Sequence, residues 1–132
     1  MKLFLFTLLF TLNCFAATVA FSGSPSNLIV MARPNTVTWA SLASGDSGAG
    51  IEVGYAKSLS MQLSGTFTAT TVLIEGSNDG TTYYTMDDIE GTAISKTAAA
   101  FSEIRDRPKY IRPRISAGGA SSDVTGVMYM TK

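Results

Sequence analysis

Apolar and polar residues alternate most strictly between Leu59 and Phe67. Leu59, Met61 and Leu63 fall on one side of an extended chain, and the serine, glutamine and threonine residues between them fall on the other. A period of two predicts a half-buried strand, because successive side chains of a strand point to opposite faces. Gly65 interrupts the pattern and indicates a β-bulge in this strand.

Shorter segments rich in β-forming residues occur along the rest of the chain, with Gly, Pro, Asn, Asp and Ser between them. They are Leu28 to Met31, Thr36 to Ala40, Ile51 to Val53, Thr71 to Glu75, Thr81 to Met86, Thr92 to Lys96 and Val124 to Met130. Val37, Trp39, Val72 and Ile74 are predicted to face the core. The spacing predicts an all-β fold of about seven to eight short strands, an antiparallel β-sandwich of jelly-roll-like architecture.

Two later segments are harder to assign. Phe101 and Ile104 lie three residues apart in Ala98 to Ile104, which is the one place where the pattern permits a helical turn. Beyond it, arginines alternate with Ile111, Pro113 and Ile115, which indicates a strand. Pro113 has no backbone N–H, so we expect an edge or a bulge at that position.

The first thirty residues have a different character from the rest of the chain. Met1 to Ala20 has one lysine, a long apolar run and alanines where cleavage would occur, which is typical of a secretory signal peptide. The same segment is nearly long enough for a membrane anchor, and it could also be a retained apolar arm. A third interpretation starts the protein at Met31. We therefore divide the chain into an apolar leader, residues 1–30, and a single β-sandwich domain, residues 31–132.

Composition argues against several classes of chemistry. The sequence contains no histidine, so it lacks the usual general base and the commonest transition-metal ligand. Cys14 is the one cysteine, so no disulfide can form within the chain. Formal net charge is zero, which gives no global attraction to nucleic acid or anionic membranes. We expect no enzymatic activity, no cofactor and no metal, with membrane contact only if the leader is an anchor.

Charged residues form two groups in the second half of the chain. Glu75, Asp79, Asp87, Asp88 and Glu90 make the middle acidic, whereas Arg105, Arg107, Lys109, Arg112 and Arg114 make the following segment basic. The acidic group does not have the spacing of a calcium-binding loop. The basic group superficially resembles a nucleic-acid patch, but Glu103 and Asp106 are interleaved with it. We interpret both groups as possible subunit-contact patches that set the register between neighbouring copies.

Several segments together resemble small β-sandwich virion proteins of tailed bacteriophages, which are encoded beside the major capsid protein. The matching segments are Thr36 to Trp39, Gly45-Asp46, Val72 to Tyr83, Gly91 to Ser95, Pro108 to Pro113 and Gly118 to Val124. The resemblance implies a virion structural protein at the capsid surface, most directly a decoration (cement) subunit. Its implied partners are the major capsid protein and copies of itself, and no catalytic residues come with it.

Two other functions stay open. The leader and the aromatic residues Trp39, Tyr83 and Tyr84 would also suit a secreted or surface-anchored module that binds carbohydrate. The same fold would also serve a tail fibre or baseplate subunit, and the sequence does not distinguish this role from capsid decoration.

Overall fold

The structure, a computed structural model, describes the backbone of Leu28 and Ile29 and all of residues 35–132. This part of the chain is all-β and contains ten strands. They are β1 (Leu28–Ile29), β2 (Thr36–Leu42), β3 (Ile51–Glu52), β4 (Ser58–Thr66), β5 (Thr71–Ser77), β6 (Tyr84–Thr85), β7 (Ser95–Lys96), β8 (Ala100–Ile104), β9 (Tyr110–Ala117) and β10 (Asp123–Thr131).

The strands form two antiparallel sheets that pack face to face, which confirms the predicted β-sandwich. Sheet A has the order β1-β2-β10-β4-β8, and sheet B has the order β3-β9-β5-β6, with β7 also paired to β5. From β2 to β5, and again from β7 to β10, each successive strand lies in the opposite sheet. The chain therefore crosses the sandwich repeatedly, as in jelly-roll-like folds.

An apolar core fills the space between the sheets. Trp39 and Met128 from sheet A and Ile74 and Ile111 from sheet B are all fully buried. Trp39 Nε1 donates a hydrogen bond to the carbonyl oxygen of Ala49 at 3.0 Å, which satisfies the indole N–H inside the core. Val37, Trp39, Val72 and Ile74 are all buried, so the predicted core side of β2 and β5 is confirmed.

The helical turn suggested for Ala98 to Ile104 is wrong. Ala100–Ile104 is strand β8, at the edge of sheet A, where it pairs with β4. Ser102 and Ile104 are buried and Phe101 is exposed, so the strand alternates with period two. The three-residue spacing of Phe101 and Ile104 misled the prediction because one of these side chains faces the core and the other faces solvent.

The bulge predicted at Gly65 is also wrong, because the register between β4 and β10 runs through this residue without a shift. Gly65 has φ +109°, and a Cβ here would lie 2.2 Å from the carbonyl oxygen of Asp123. The glycine is needed for its backbone conformation and for this close approach of two chains.

Pro113 lies opposite Ile74 of β5, inside a strand that has neighbours on both sides. Its carbonyl oxygen accepts a hydrogen bond from the Gly48 N–H at 2.8 Å. Since the N and the carbonyl oxygen of one residue point to the same side of a strand, the missing N–H faces this loop rather than β5. The proline is tolerated because β3 pairs only with Tyr110 and Ile111 of β9.

The interpretations of the leader, residues 1–30, lie outside the described residues except at β1. The described part of the chain has no helix long and apolar enough to cross a membrane.

Replacing Ile74 with alanine tests the central position of the core. Ile74 is fully buried, so Ile74→Ala is expected to lower the free energy of unfolding by about 2–5 kcal/mol. Ile89→Ala is the matched control, because Ile89 is 60% exposed and its loss is expected to cost less than about 0.5 kcal/mol. Urea denaturation of both variants measures the difference, and equal costs would contradict the assigned core.

Candidate functional site

Glu75, Arg112 and Arg114 form an ion cluster on the outer face of sheet B. Arg112 lies directly across from Glu75 on the neighbouring strand, and Arg114 lies two residues further along. Arg112 Nη2 and Nε each lie 3.0 Å from Glu75 Oε2, and Arg114 Nε lies 2.6 Å from Oε1. Glu75 is only 4% exposed, and two guanidinium groups of the same chain compensate its buried negative charge.

Tyr83 covers this ion cluster. Its ring centroid lies 3.8 Å from Arg112 Cζ, in a cation–π contact. A Cβ at Gly50 would lie 2.1 Å from the Tyr83 hydroxyl oxygen, so the glycine makes room for the ring. Burial raises the pKa of the Tyr83 hydroxyl above its ordinary value. Tyr83 is therefore a structural lid on the ion cluster, and the buried Trp39 is likewise part of the core and offers no stacking surface.

A second group of charged residues joins the loop between β6 and β7 to the residues that follow β8. Arg105 Nη2 lies 2.7 Å from Asp87 Oδ2, and the Arg105 N–H donates to the Asp87 carbonyl at 3.1 Å. Asp106 Oδ2 accepts the Asp87 N–H at 3.1 Å. Asp88 Oδ1 accepts the N–H groups of Glu90 and Thr92, which shapes the loop between β6 and β7. These contacts tie that loop to the end of β8.

The remaining members of the predicted patches lie at the surface. Asp79, Glu90, Arg107 and Lys109 are exposed. The structure thus brings Glu75 together with Arg112 and Arg114, and Asp87 together with Arg105, within one chain. Contact of the two patches between neighbouring copies stays a prediction, and the exposed charges are the ones available for it.

Asp79 organises the turn after β5. Its Oδ1 accepts hydrogen bonds from Ser77 Oγ at 2.8 Å, from Thr81 N at 2.8 Å and from Thr82 N at 2.7 Å. These donors favour the carboxylate form and hold the pKa of Asp79 well below its ordinary value, with the backbone N–H of Thr82 contributing most. The sequence interpretation of this segment as turn chemistry agrees with this geometry.

An open groove lies beside this turn, and we call it the Tyr84 groove. It is lined by β5 residues Gly76 and Ser77, by the turn and strand residues Asn78, Asp79, Thr82, Tyr84, Thr85 and Met86, and by Asp106, Arg107 and Pro108 from the β8–β9 loop. Its volume is about 510 Å³. Tyr84 is 73% exposed, and it is one of the aromatic residues that the sequence suggested for stacking.

Sheet A has a very different outer side, which we call the uncharged face. It is formed by the outward side chains of β2, β4, β8 and β10, and the only charged residues in these strands are Glu103 and Asp123. Register places Phe101, Gln62, Val127 and Thr38 in one row across the four strands. Phe101 is 65% exposed and Tyr129 is 50% exposed on this face.

Local sequence patterns do not identify the uncharged face as a candidate site. Alternation along a strand puts Val127 and Tyr129 on the same side of β10. Local patterns do not place Phe101 beside them, because the pattern of Ala98 to Ile104 also permits a helical turn and because the order of strands in a sheet is not visible in local patterns.

Within residues 35–132, no three His, Cys, Asp or Glu side chains converge closely enough to hold a metal ion. Comparison with known proteins gave no match to a protein-family model, to a curated protein or to a solved structure.

Glu75→Gln tests how much the ion cluster contributes to the stability of the fold. The change leaves Arg112 and Arg114 facing a neutral group, while both arginines keep some access to water. We expect a loss of about 1–3 kcal/mol in the free energy of unfolding. Glu52→Gln is the matched control, because Glu52 is exposed on β3 and should change stability by less than about 0.5 kcal/mol. Equal stability of the two variants in urea denaturation would contradict this role.

Asp79 is expected to stay ionised in acid. Because its pKa is lower in the folded state, ionised Asp79 stabilises the fold above the ordinary pKa of 3.8, and this contribution is lost as the pH falls further. Carboxyl-detected NMR should find the Asp79 side-chain carbon still at its ionised shift at pH 3.8. Ser77→Ala removes one donor and should raise the pKa. An Asp79 carboxyl group that is half protonated at pH 3.8 would disprove the arrangement.

Proposed function

We propose that this chain is a virion structural protein of a tailed bacteriophage, and most directly a capsid decoration subunit. In this role it sits on the capsid surface and stabilises the shell by bridging neighbouring capsomers. Its partners are the major capsid protein and further copies of itself. The resemblance of residues 31–132 to small phage β-sandwich proteins supports the class of protein, and the uncharged face supports the mode of attachment.

The uncharged face is the observation that carries the proposal. The buried centres of protein interfaces are depleted of charged residues and enriched in aromatic ones. The four strands of this face have Glu103 on the edge strand and Asp123 at the start of β10, with Phe101, Val127 and Tyr129 among small hydroxyl residues. Covering such a surface removes few charges from water, so its desolvation cost is low.

Sheet B has the opposite character. Its outer face bears the ion cluster, in which Glu75 is already satisfied by Arg112 and Arg114. Burying this face against a shell would desolvate two partly exposed guanidinium groups that share the single carboxylate of Glu75. The charge distribution therefore favours attachment through sheet A, with sheet B turned outward.

The sandwich is also suited to a bridging role because its binding surface is made of strands. Residues in the paired strands β2, β10 and β4 are held in register by neighbours on both sides. A surface that is already ordered loses little conformational entropy when it binds. Exposed charges at the loops, such as Lys109 and Glu90, are available for contacts between adjacent copies.

Mass spectrometry of purified virions tests the class of protein. We expect this chain in particles of its phage, at a number of copies comparable with that of the capsomers. Decorated particles that lack the chain would overturn the proposal. Recovery of the chain with isolated tails, and not with heads, would reassign it to a fibre or baseplate.

A charge on the uncharged face is expected to weaken attachment to the shell. Tyr129→Glu places an unpaired carboxylate at the interface, so its affinity for shells of the major capsid protein should fall at least about tenfold. Tyr84→Glu is the matched control, since Tyr84 is an exposed tyrosine at the edge of sheet B. Cosedimentation measures both. Weakened binding of Tyr84→Glu with normal binding of Tyr129→Glu would show that the other side attaches.

A further inference from the structure

The Tyr84 groove has features of a ligand-binding site, and it lies outside the face that is proposed to attach to the shell. Its lining residues come from β5, β6, the turn between them, Met86 directly after β6 and the β8–β9 loop, and none of them belongs to the uncharged face. Its volume of about 510 Å³ is in the range of small-molecule sites, which is about 300–1,000 Å³. A ligand here would leave attachment through sheet A undisturbed.

Tyr84 gives the groove an aromatic wall. Its backbone is fixed because β6 pairs with β5, where Tyr84 lies opposite Gly76. Its side chain is 73% exposed, in contrast to Tyr83, whose ring is covered by Arg112. An exposed ring on a fixed strand can stack on a flat apolar surface of a ligand at a small cost in conformational entropy.

Polar groups in the groove are held in place by hydrogen bonds that use only part of each side chain. Asn78 Oδ1 accepts the Lys109 N–H at 3.0 Å, which fixes the orientation of the amide. Arg107 Nη1 and Nε donate to the carbonyl oxygens of Lys57, Ile104, Arg105 and Asp106. Within the described residues, Asn78 Nδ2 and Arg107 Nη2 make no hydrogen bond, whereas the Asp79 carboxylate accepts from Ser77, Thr81 and Thr82. The groove therefore offers unused donors beside a carboxylate acceptor whose position is fixed by the turn.

The mixture of charges narrows the chemical class of the ligand. Asp79 and Asp106 are negative and Arg107 is positive, so an anionic ligand would meet two carboxylates. A purely apolar ligand would remove those carboxylates from water without forming hydrogen bonds with them, which is unfavourable. A hydroxyl group both donates and accepts, so a molecule with several hydroxyl groups matches carboxylate, amide and guanidinium together.

We propose that the Tyr84 groove binds a neutral saccharide. Tyr84 stacks on the apolar face of a sugar ring, while Asp79, Asn78 and Arg107 form hydrogen bonds with its hydroxyl groups. This activity is independent of the proposed function, because it needs neither a capsid nor the uncharged face.

The test uses the purified chain on an array of neutral oligosaccharides built from glucose, galactose, mannose and N-acetylglucosamine, together with sialylated and sulfated glycans. We expect binding to neutral glycans. Affinity for the strongest neutral glycan, measured by calorimetry, should fall about tenfold or more in Tyr84→Ala and should be retained in Tyr84→Trp. Tyr129→Ala removes an exposed tyrosine from the uncharged face and should bind as the unmodified chain does.

A second measurement needs no variant. Titration of the isotope-labelled chain with the same glycan should shift the amide resonances of Asn78, Asp79 and Tyr84 most strongly. The proposal is overturned if no neutral glycan binds at millimolar concentration, if only acidic glycans bind, if Tyr84→Ala binds normally, or if the shifts map to another surface. Because shell binding is measured separately, failure of either proposal leaves the other standing.

Discussion

Side chains between the two sheets have to hold the sandwich together, because the single cysteine rules out an internal disulfide. The chain crosses from one sheet to the other repeatedly, so Trp39, Ile74 and Met128 meet although they lie far apart in sequence. Close packing of this apolar layer stabilises every loop and outer face that the strands carry. The ion cluster depends on it because its side chains project from β5 and β9, whose opposite sides lie in the core, and the Tyr84 groove depends on it because β5 forms one of its walls.

The sandwich has two outer faces, and they differ in their content of charged residues. The strands of sheet A present hydroxyl groups, Phe101, Val127 and Tyr129, and the strands of sheet B present Glu75 bound to two arginines. A surface with little charge can be covered by another protein at low desolvation cost, whereas a surface with satisfied ion pairs gains little from being covered. This asymmetry gives the molecule an attachment side and an exposed side.

Much of the fold could be predicted because period-two alternation is a local property of a strand. The alternation of Leu59, Met61 and Leu63 predicted β4. Val72 and Ile74 indicated the core side of β5. The assignment of strands to sheets could not be predicted in the same way, because β4 and β5 follow each other in sequence yet lie in different sheets. The pairing of Glu75 with Arg112 depends on the register between β5 and β9, and local patterns do not contain that register.

The site was less predictable than the fold. Tyr83 and Tyr84 are adjacent and chemically identical, and both were stacking candidates. Only the structure shows that Arg112 covers one while the other lines a groove. The acidic and basic residues were interpreted as complementary patches between neighbouring copies, and that contact stays a prediction. Sequence alone could not show that Glu75 pairs with Arg112 and Arg114 within the same chain.

The most direct test of the central claim is a cryo-electron microscopy reconstruction of shells decorated with this chain. The account predicts density for the sandwich at the junctions between capsomers, with Phe101 and Tyr129 of sheet A against the shell and the ion cluster of sheet B facing outward. Bound subunits that press sheet B onto the shell, or shells that carry no density for the chain at saturating concentration, would contradict it.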